Sequence, residues 1–323
     1  MKISPFSITC SLLYVTFYSF AQVQETKTAN LMGSVFQITI VDKNHNSAQE
    51  NIQKTIDEIE RIENLISEWR PETQISEVNQ NAGIKPVKVD REVFEITKKG
   101  IWFSKITNGA FDISIVAMDR IWKFDGSMEK LPSKRNIRKS VVKVNYKNIV
   151  LNSVNSTIYL SRKGMKIGFG SIGKGYAADK GRELLQSLGI KGGIINAAGD
   201  ITTWGNQIDG EPWKIGVNNP FETGETIAVL EFSNNKAVTT SGTYEKYAEI
   251  DGKRYSHIIN PKTGFPSMGI TSVTIIGENA EMCNGLSTSI LILGLKKGLK
   301  LIKKYPDFQY IILTNDGKII QNF

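Results

Sequence analysis

From Leu31 to Ile40 the chain comes to alternate apolar and polar residues, the pattern of a half-buried strand. The rhythm then changes. Ile52, Ile56, Ile59, Ile62 and Ile66 recur at three- and four-residue spacing, which predicts an amphipathic helix. Ser47-x-x-Glu50 reads as its capping box, and Trp69, Arg70 and Pro71 as its end. A polar loop leads to a second helix over about 90–106, stopped by Asn108-Gly109. Between 146 and 169 three short β-like runs are separated by Asn-Ser and Lys-Gly turns, and a helix-like run extends to Leu188. Further on, strands are predicted at 213–217, 226–232, 253–259 and 271–277, helices at 279–293 and 296–304, and a closing hairpin turned at Asn315-Asp-Gly317. Helices and strands are interspersed without strict βαβ alternation. The fold class is therefore α+β, mixed sheets with packed helices, as one unit over 22–323 with no repeat or dividing linker.

The first residues belong to another kind of segment. Lys2, an apolar run through Phe20 and the ending Ser19-Phe20-Ala21 make 1–21 a signal peptide cut before Gln22, so the mature chain is expected to be exported and periplasmic. An uncleaved anchor holding the protein on the inner membrane is the alternative. Cleavage removes Cys10 and leaves Cys283 alone, so no intramolecular disulfide forms and the fold stands on packing. The formal charge of +8 is concentrated at 130–147 and 296–304. This is a solvated basic face or an attraction for an anionic ligand or membrane surface; outside the cytoplasm nucleic acid is not the expected partner.

The most informative stretch is 167–200, which begins Ile-Gly-Phe-Gly-Ser-Ile-Gly-Lys-Gly and ends Asn-Ala-Ala-Gly-Asp. Gly168, Gly170, Gly173 and Gly175 permit close backbone approach to a ligand, and the helix start behind them offers free N–H groups and Lys174 to a phosphate. Gly168-x-Gly170-x-x-Gly173 matches the dinucleotide fingerprint, but the residues before it, 161–166, are polar where a buried strand belongs. Gly168-x-x-x-x-Gly173-Lys174 matches a P-loop, but Gly175 stands where the Mg²⁺-binding hydroxyl belongs. A glycine-rich turn without a ligand is also consistent with this window.

Candidate chemistry lies on both sides of it. His45 sits at the start of a polar loop, so His257, beside the turn Asn-Pro-Lys-Thr-Gly264, is the candidate for proton transfer near neutral pH. Asn284, Ser287 and Thr288 share one helix face, where neutral oxygens suit a hard cation such as Mg²⁺ or, equally, a small-residue packing face. Asp112, straight after a helix stop, is either a site residue or a cap.

Taken in order, Met32-Gly33-Ser34, Ser67-Glu-Trp-Arg-Pro71, Gly109-Ala-Phe-Asp112, Gly173-Lys-Gly-Tyr-Ala-Ala-Asp179, Asn196-Ala-Ala-Gly-Asp200, Thr240-Ser-Gly242, His257-Ile-Ile-Asn-Pro-Lys-Thr-Gly264 and Leu286-Ser-Thr288 resemble the ApbE family of FAD:protein FMN transferases. The resemblance implies transfer of FMN from FAD to a Ser or Thr hydroxyl of a partner protein, such as a membrane redox-complex subunit, with release of AMP and a need for Mg²⁺. It places Met32, Trp69, Ala110, Phe111, Asp112, Lys174, Ile258 and Ile259 on the flavin nucleotide. It places Ser171, Asn284, Ser287 and Thr288 on the metal, Ser171 through its carbonyl, and casts His257 as the base. The family usually has Asp at the positions of Asn284 and Gly168, so a member that binds FAD without transferring it is the alternative.

Overall fold

The computed structural model describes residues 22–222 and 224–323, so the expected leader, 1–21, lies outside the described residues. The described chain opens with an antiparallel hairpin, β1 (Val23–Leu31) and β2 (Ser34–Asp42), turned at Met32 and Gly33, which have φ of 52° and 68°. The alternating pattern predicts β2. β1 carries too few apolar residues to read as a strand and is held by its pairing with β2. The helix α1 (His45–Ile66) buries Ile52, Ile56, Ile59, Ile62 and Ile66, as their spacing predicts. Its cap differs: Asn44, not Ser47, is the N-cap, its side chain accepting the Ser47 N–H at 2.9 Å. The polar loop that follows holds a short helix, α2 (Gln74–Gln80), capped by Thr73, and then β3 (Val87–Lys88).

The second predicted helix is α3 (Arg91–Ile106), and Asn108 and Gly109 end it at positive φ. A helix unforeseen in the basic stretch, α4 (Lys134–Ser140), is capped by Ser133. Two of the three β-like runs pair as β4 (Ile149–Asn152) and β5 (Thr157–Leu160). The third stays irregular because Met165, Ile167 and Phe169 are buried against the core instead of joining a ladder. Then come α5 (Gly173–Ser187), β6 (Gly192–Ala197), β7 (Asp200–Trp204), β8 (Trp213–Asn218), β9 (Thr226–Phe232), β10 (Lys236–Gly242), β11 (Tyr247–Ile250) and β12 (Lys253–Ser256). β12 stops short of the predicted Ile259: the His257 N–H still meets the Lys246 carbonyl in register, but beyond it the chain leaves the hairpin and Ile259 makes only an isolated bridge to Pro266. β13 (Ile270–Gly277), α6 (Ala280–Leu293), α7 (Leu295–Ile302), β14 (Gln309–Thr314) and β15 (Ile319–Gln321) complete the chain.

Eight strands form the central sheet in the order β1-β2-β6-β7-β10-β13-β14-β15, with antiparallel neighbours throughout. This sheet and the packed helices make the fold α+β. Strand alternation sorts side chains to its two faces. Ala237, Val273, Ile275 and Ile312 enter the main core with the isoleucines of α1, whereas Val238, Ile276 and Ile311 enter a second core under the β8–β9 hairpin. Every residue of β13 is consequently buried. A third cluster, Trp122, Ile137, Ala248, Ile250 and Tyr255, joins the β11–β12 hairpin to the segment after α3. The irregular run before α5 and the antiparallel sheet leave no βαβ unit around the glycines, so the dinucleotide fingerprint is not built here. No helix among the described residues is long and apolar enough to cross a membrane.

Candidate active site

A cleft of about 710 Å³ opens where the β6–β7 turn, the end of β10, the first turn of α5 and the outer face of α6 meet the loops around 69, 115–124 and 257–261. Its volume lies within the roughly 300–1,000 Å³ of small-molecule sites. The fold brings Trp69, Phe111, Asp112, Ser171, Lys174, His257, Ile258, Ile259, Asn284 and Thr288 onto its lining, though they span most of the chain. Trp69 is 72% exposed at the mouth, with the Arg120 guanidinium stacked over its ring at 4.8 Å, a flat surface on which a second ring can lie.

Three sequence-predicted residues stand off this lining. Met32 occupies the β1–β2 turn, where its N–H donates to Glu63 Oε2 at 2.8 Å and its side chain packs towards Gly173. Ala110 is buried and faces a separate, lysine-rich cavity with Asn108 and Lys262. Ser287 is fully buried: its hydroxyl donates to the Asn284 carbonyl at 3.0 Å and lies 2.8 Å from Ser241 Oγ.

That last pair fixes a direction. With the Ser287 proton on the Asn284 carbonyl, Ser241 donates to Ser287 and accepts from Thr288, 3.1 Å from its Oγ. In that arrangement Thr288 offers its lone pairs to the cleft. Asn284 is buried on the preceding turn of the same face. Asp112 is a cap: one oxygen accepts from the Ser114 N–H and hydroxyl, the other from the Tyr146 N–H, while burial holds its carboxyl above the usual range.

His257 is set as a base. Its Nδ1 lies 3.0 Å from the Lys246 carbonyl, which can only accept, so the proton sits on Nδ1 and Nε2 keeps a free lone pair. Burial lowers its pKa below the ordinary histidine value, outweighing the raising effect of the carbonyl. The ring is therefore neutral at pH 7. Lys174 lies on the first turn of α5, so its charge adds to the positive end of that helix.

The site also holds residues that sequence reasoning missed. Asp200 is 3% exposed, and its Oδ2 has no hydrogen-bond partner. Burial pushes its carboxyl up to about 6, against the opposing pull of Lys174 and Asn284. Glu68 reaches the lining beside Gly168, and burial raises its pKa too. Both lie within quoted motifs, but nothing in the local pattern says which way a side chain turns. Ser241, within Thr240-Ser-Gly242, became interpretable only through its contacts with α6. The P-loop reading is also answered, because a side chain on Gly175 would meet the Ala280 carbonyl oxygen at 2.6 Å. Glycine is there for helix packing.

An antiparallel sheet backed by helices thus frames one cleft that holds both the Lys174 helix start and a neutral histidine. A profile of the ApbE family matches residues 32–312, and the chain belongs to that family. The FAD:protein FMN transferase of Klebsiella pneumoniae is 30% identical over 91% of this chain and 90% of its own length. That of Haemophilus influenzae is 28% identical over 92% and 90%. Among solved structures, the ApbE protein of Thermotoga maritima superposes with a TM-score of 0.84 at 29% identity, covering 93% of this chain and 97% of its own.

Proposed function

We infer that this protein is an FAD:protein FMN transferase, moving FMN from FAD onto a Ser or Thr hydroxyl of a partner protein. The hydroxyl oxygen attacks the phosphorus on the flavin side of the pyrophosphate, forming a phosphoester. The bond to the other phosphate breaks, AMP leaves, and the hydroxyl proton passes to a base. The observation that carries this reading is the His257 tautomer, which presents a free Nε2 lone pair in the cleft that Lys174 and the α5 N-terminus also enter. A hydroxyl with a pKa far above neutrality needs such a base, typically worth 10²- to 10⁴-fold. The pyrophosphate needs positive charge on its oxygens as the bond breaks, and Lys174 with the helix start supplies it.

Trp69 provides a stacking surface at the mouth, and Phe111, Ile258 and Ile259 an apolar wall for a ring system. Ser171, Asn284 and Thr288 offer neutral oxygens, a donor set of the hard kind that Mg²⁺ accepts. When bound, Mg²⁺ would neutralise pyrophosphate charge as a Lewis acid. Ser287 would act behind them through its bonds to Ser241 and Asn284. Met32 would shape the turn beside α5, and Ala110 the backbone leading to Asp112. The leader features of 1–21 support export, so we place the enzyme and its acceptor outside the cytoplasm.

The test is incubation of the mature protein with FAD, Mg²⁺ and a candidate acceptor domain. Stoichiometric AMP and a fluorescent acceptor band that survives denaturation are expected. FAD binding with neither product would make the protein a carrier of FAD instead.

A further inference from the structure

We propose that Asp200 is the carboxylate of the cation site, supplying from β7 the negative charge that Asn284 does not supply from α6. The proposal rests on the Mg²⁺-assisted reading above and concerns a residue that reading leaves unassigned. Asp200 follows Ala198 and Gly199, both at positive φ, and pairs with Ala197 on one side and Thr239 on the other. Its main chain is thus fixed in the middle of the sheet. The side chain lines the cleft with Asn284, Thr288 and Ser171 yet is 3% exposed.

A carboxylate oxygen in that position is normally hydrogen-bonded, paired or bound to a metal. Asp200 Oδ2 has no hydrogen-bond partner among the described residues; the carboxyl is favoured only by Lys174 through space and by the neighbouring Asn284 amide. Of the other carboxylates on the lining, Asp112 is saturated by Ser114 and Tyr146, Asp119 pairs with Lys143 at 3.1 Å, Glu245 is exposed, and Glu68 is half-buried with its carboxyl against Gly168. The unmet oxygen of Asp200 therefore lines the same cleft as the neutral oxygens of Ser171, Asn284 and Thr288. Neutral oxygens alone leave a divalent cation without a protein charge, whereas Mg²⁺ in proteins ordinarily keeps one or two carboxylates beside phosphate oxygens. With Asp200 the site has one, and its buried charge has a partner.

The experiment uses the mature protein with Mn²⁺ as the probe, titrated by electron paramagnetic resonance with FAD present, alongside metal-free FAD affinity from flavin fluorescence and metal-free melting. Asp200→Asn should weaken Mn²⁺ binding by roughly 10- to 100-fold, the scale on which metal sites respond to a lost partner. Metal-free FAD binding should be kept or tightened. Asp200→Asn/Asn284→Asp should recover most of the lost affinity, because the charge returns from the opposite side. Asn284→Asp alone gives a reading independent of how the first variant folds: two carboxylates repel without metal, lowering the metal-free Tm, and Mn²⁺ restores it. Wild-type Mn²⁺ affinity in Asp200→Asn, or an unchanged metal-free Tm in Asn284→Asp, overturns the assignment while leaving the transferase reading intact. Asp200-dependent Mn²⁺ binding without any transfer sustains the assignment and sinks the transferase reading instead.

Discussion

The carboxyl group of Glu68 occupies the space beside Gly168: a Cβ built on that glycine would stand 2.8 Å from Glu68 Cδ and 2.9 Å from its Oε1. An acidic side chain at 168 is what the family resemblance leads one to expect, and here an acidic group reaches the same place from position 68. The two cannot coexist unchanged. Gly168→Asp should therefore displace the Glu68 carboxyl and set a second carboxylate beside it, lowering the melting temperature modestly and weakening FAD binding. Glu68→Ala combined with Gly168→Asp should regain most of both. Strict additivity in the double-mutant cycle would mean that the two positions do not share this space.

His257→Ala should leave FAD affinity nearly intact while slowing transfer by roughly 10²- to 10⁴-fold. Since burial lowers the His257 pKa, the base form is present at pH 7 and is lost only as the pH falls through a value below the ordinary histidine pKa of 6.5. The acid limb of kcat/KM should accordingly lie below pH 6.5 in the wild type and disappear in His257→Ala. Equal losses in binding and rate would make the histidine structural.

Lys174→Ala should weaken FAD binding and flatten its dependence on ionic strength, because the ammonium is a charge at a helix start facing the cleft. Affinity measured by flavin fluorescence at low and moderate salt decides this. An unchanged dissociation constant at both would remove Lys174 from the nucleotide site.

How far the sequence reaches can be judged from the elements that hold these residues. Periodicity located α1 and alternation located β2, since each of these buries a contiguous apolar face, and α3, α6, β8, β9 and β13 were also legible as elements. The pattern missed β1, which is short of apolar residues, β6, β7, β10 and β11, which are too short or too rich in glycine and threonine to show a clear period, and α4, whose helix lies in a run of lysine and arginine. Most proposed site residues were legible because their motifs follow one another in family order. Asp200, Glu68 and Ser241 were not, for a physical reason: each is defined by what it faces across the cleft. Asp200 faces a helix formed some eighty residues later, a relation that no local window contains.

The packing of α5 on α6 gives a last prediction, in which two effects of opposite sign compete at Gly175. Replacing a helical glycine by alanine ordinarily stabilises by about 1 kcal/mol. Here the added Cβ would lie 2.6 Å from the Ala280 carbonyl oxygen and 2.9 Å from the Glu281 nitrogen, backbone atoms at the start of α6. Backbone yields less readily than a side-chain tip, so overpacking of about 1–3 kcal/mol should win and Gly175→Ala should melt lower than the wild type. The strain has a functional consequence, because α6 carries Asn284 and Thr288 and its first turn is tied to α5 by the Glu281 N–H donating to Asp179 at 3.0 Å. Pushing the helices apart should therefore weaken Mn²⁺ binding in the presence of FAD more than metal-free FAD binding. Gly175→Ser should behave in the same way despite bringing the hydroxyl that a P-loop would use. A Gly175→Ser protein with tighter metal binding and wild-type stability would restore the P-loop reading of this turn.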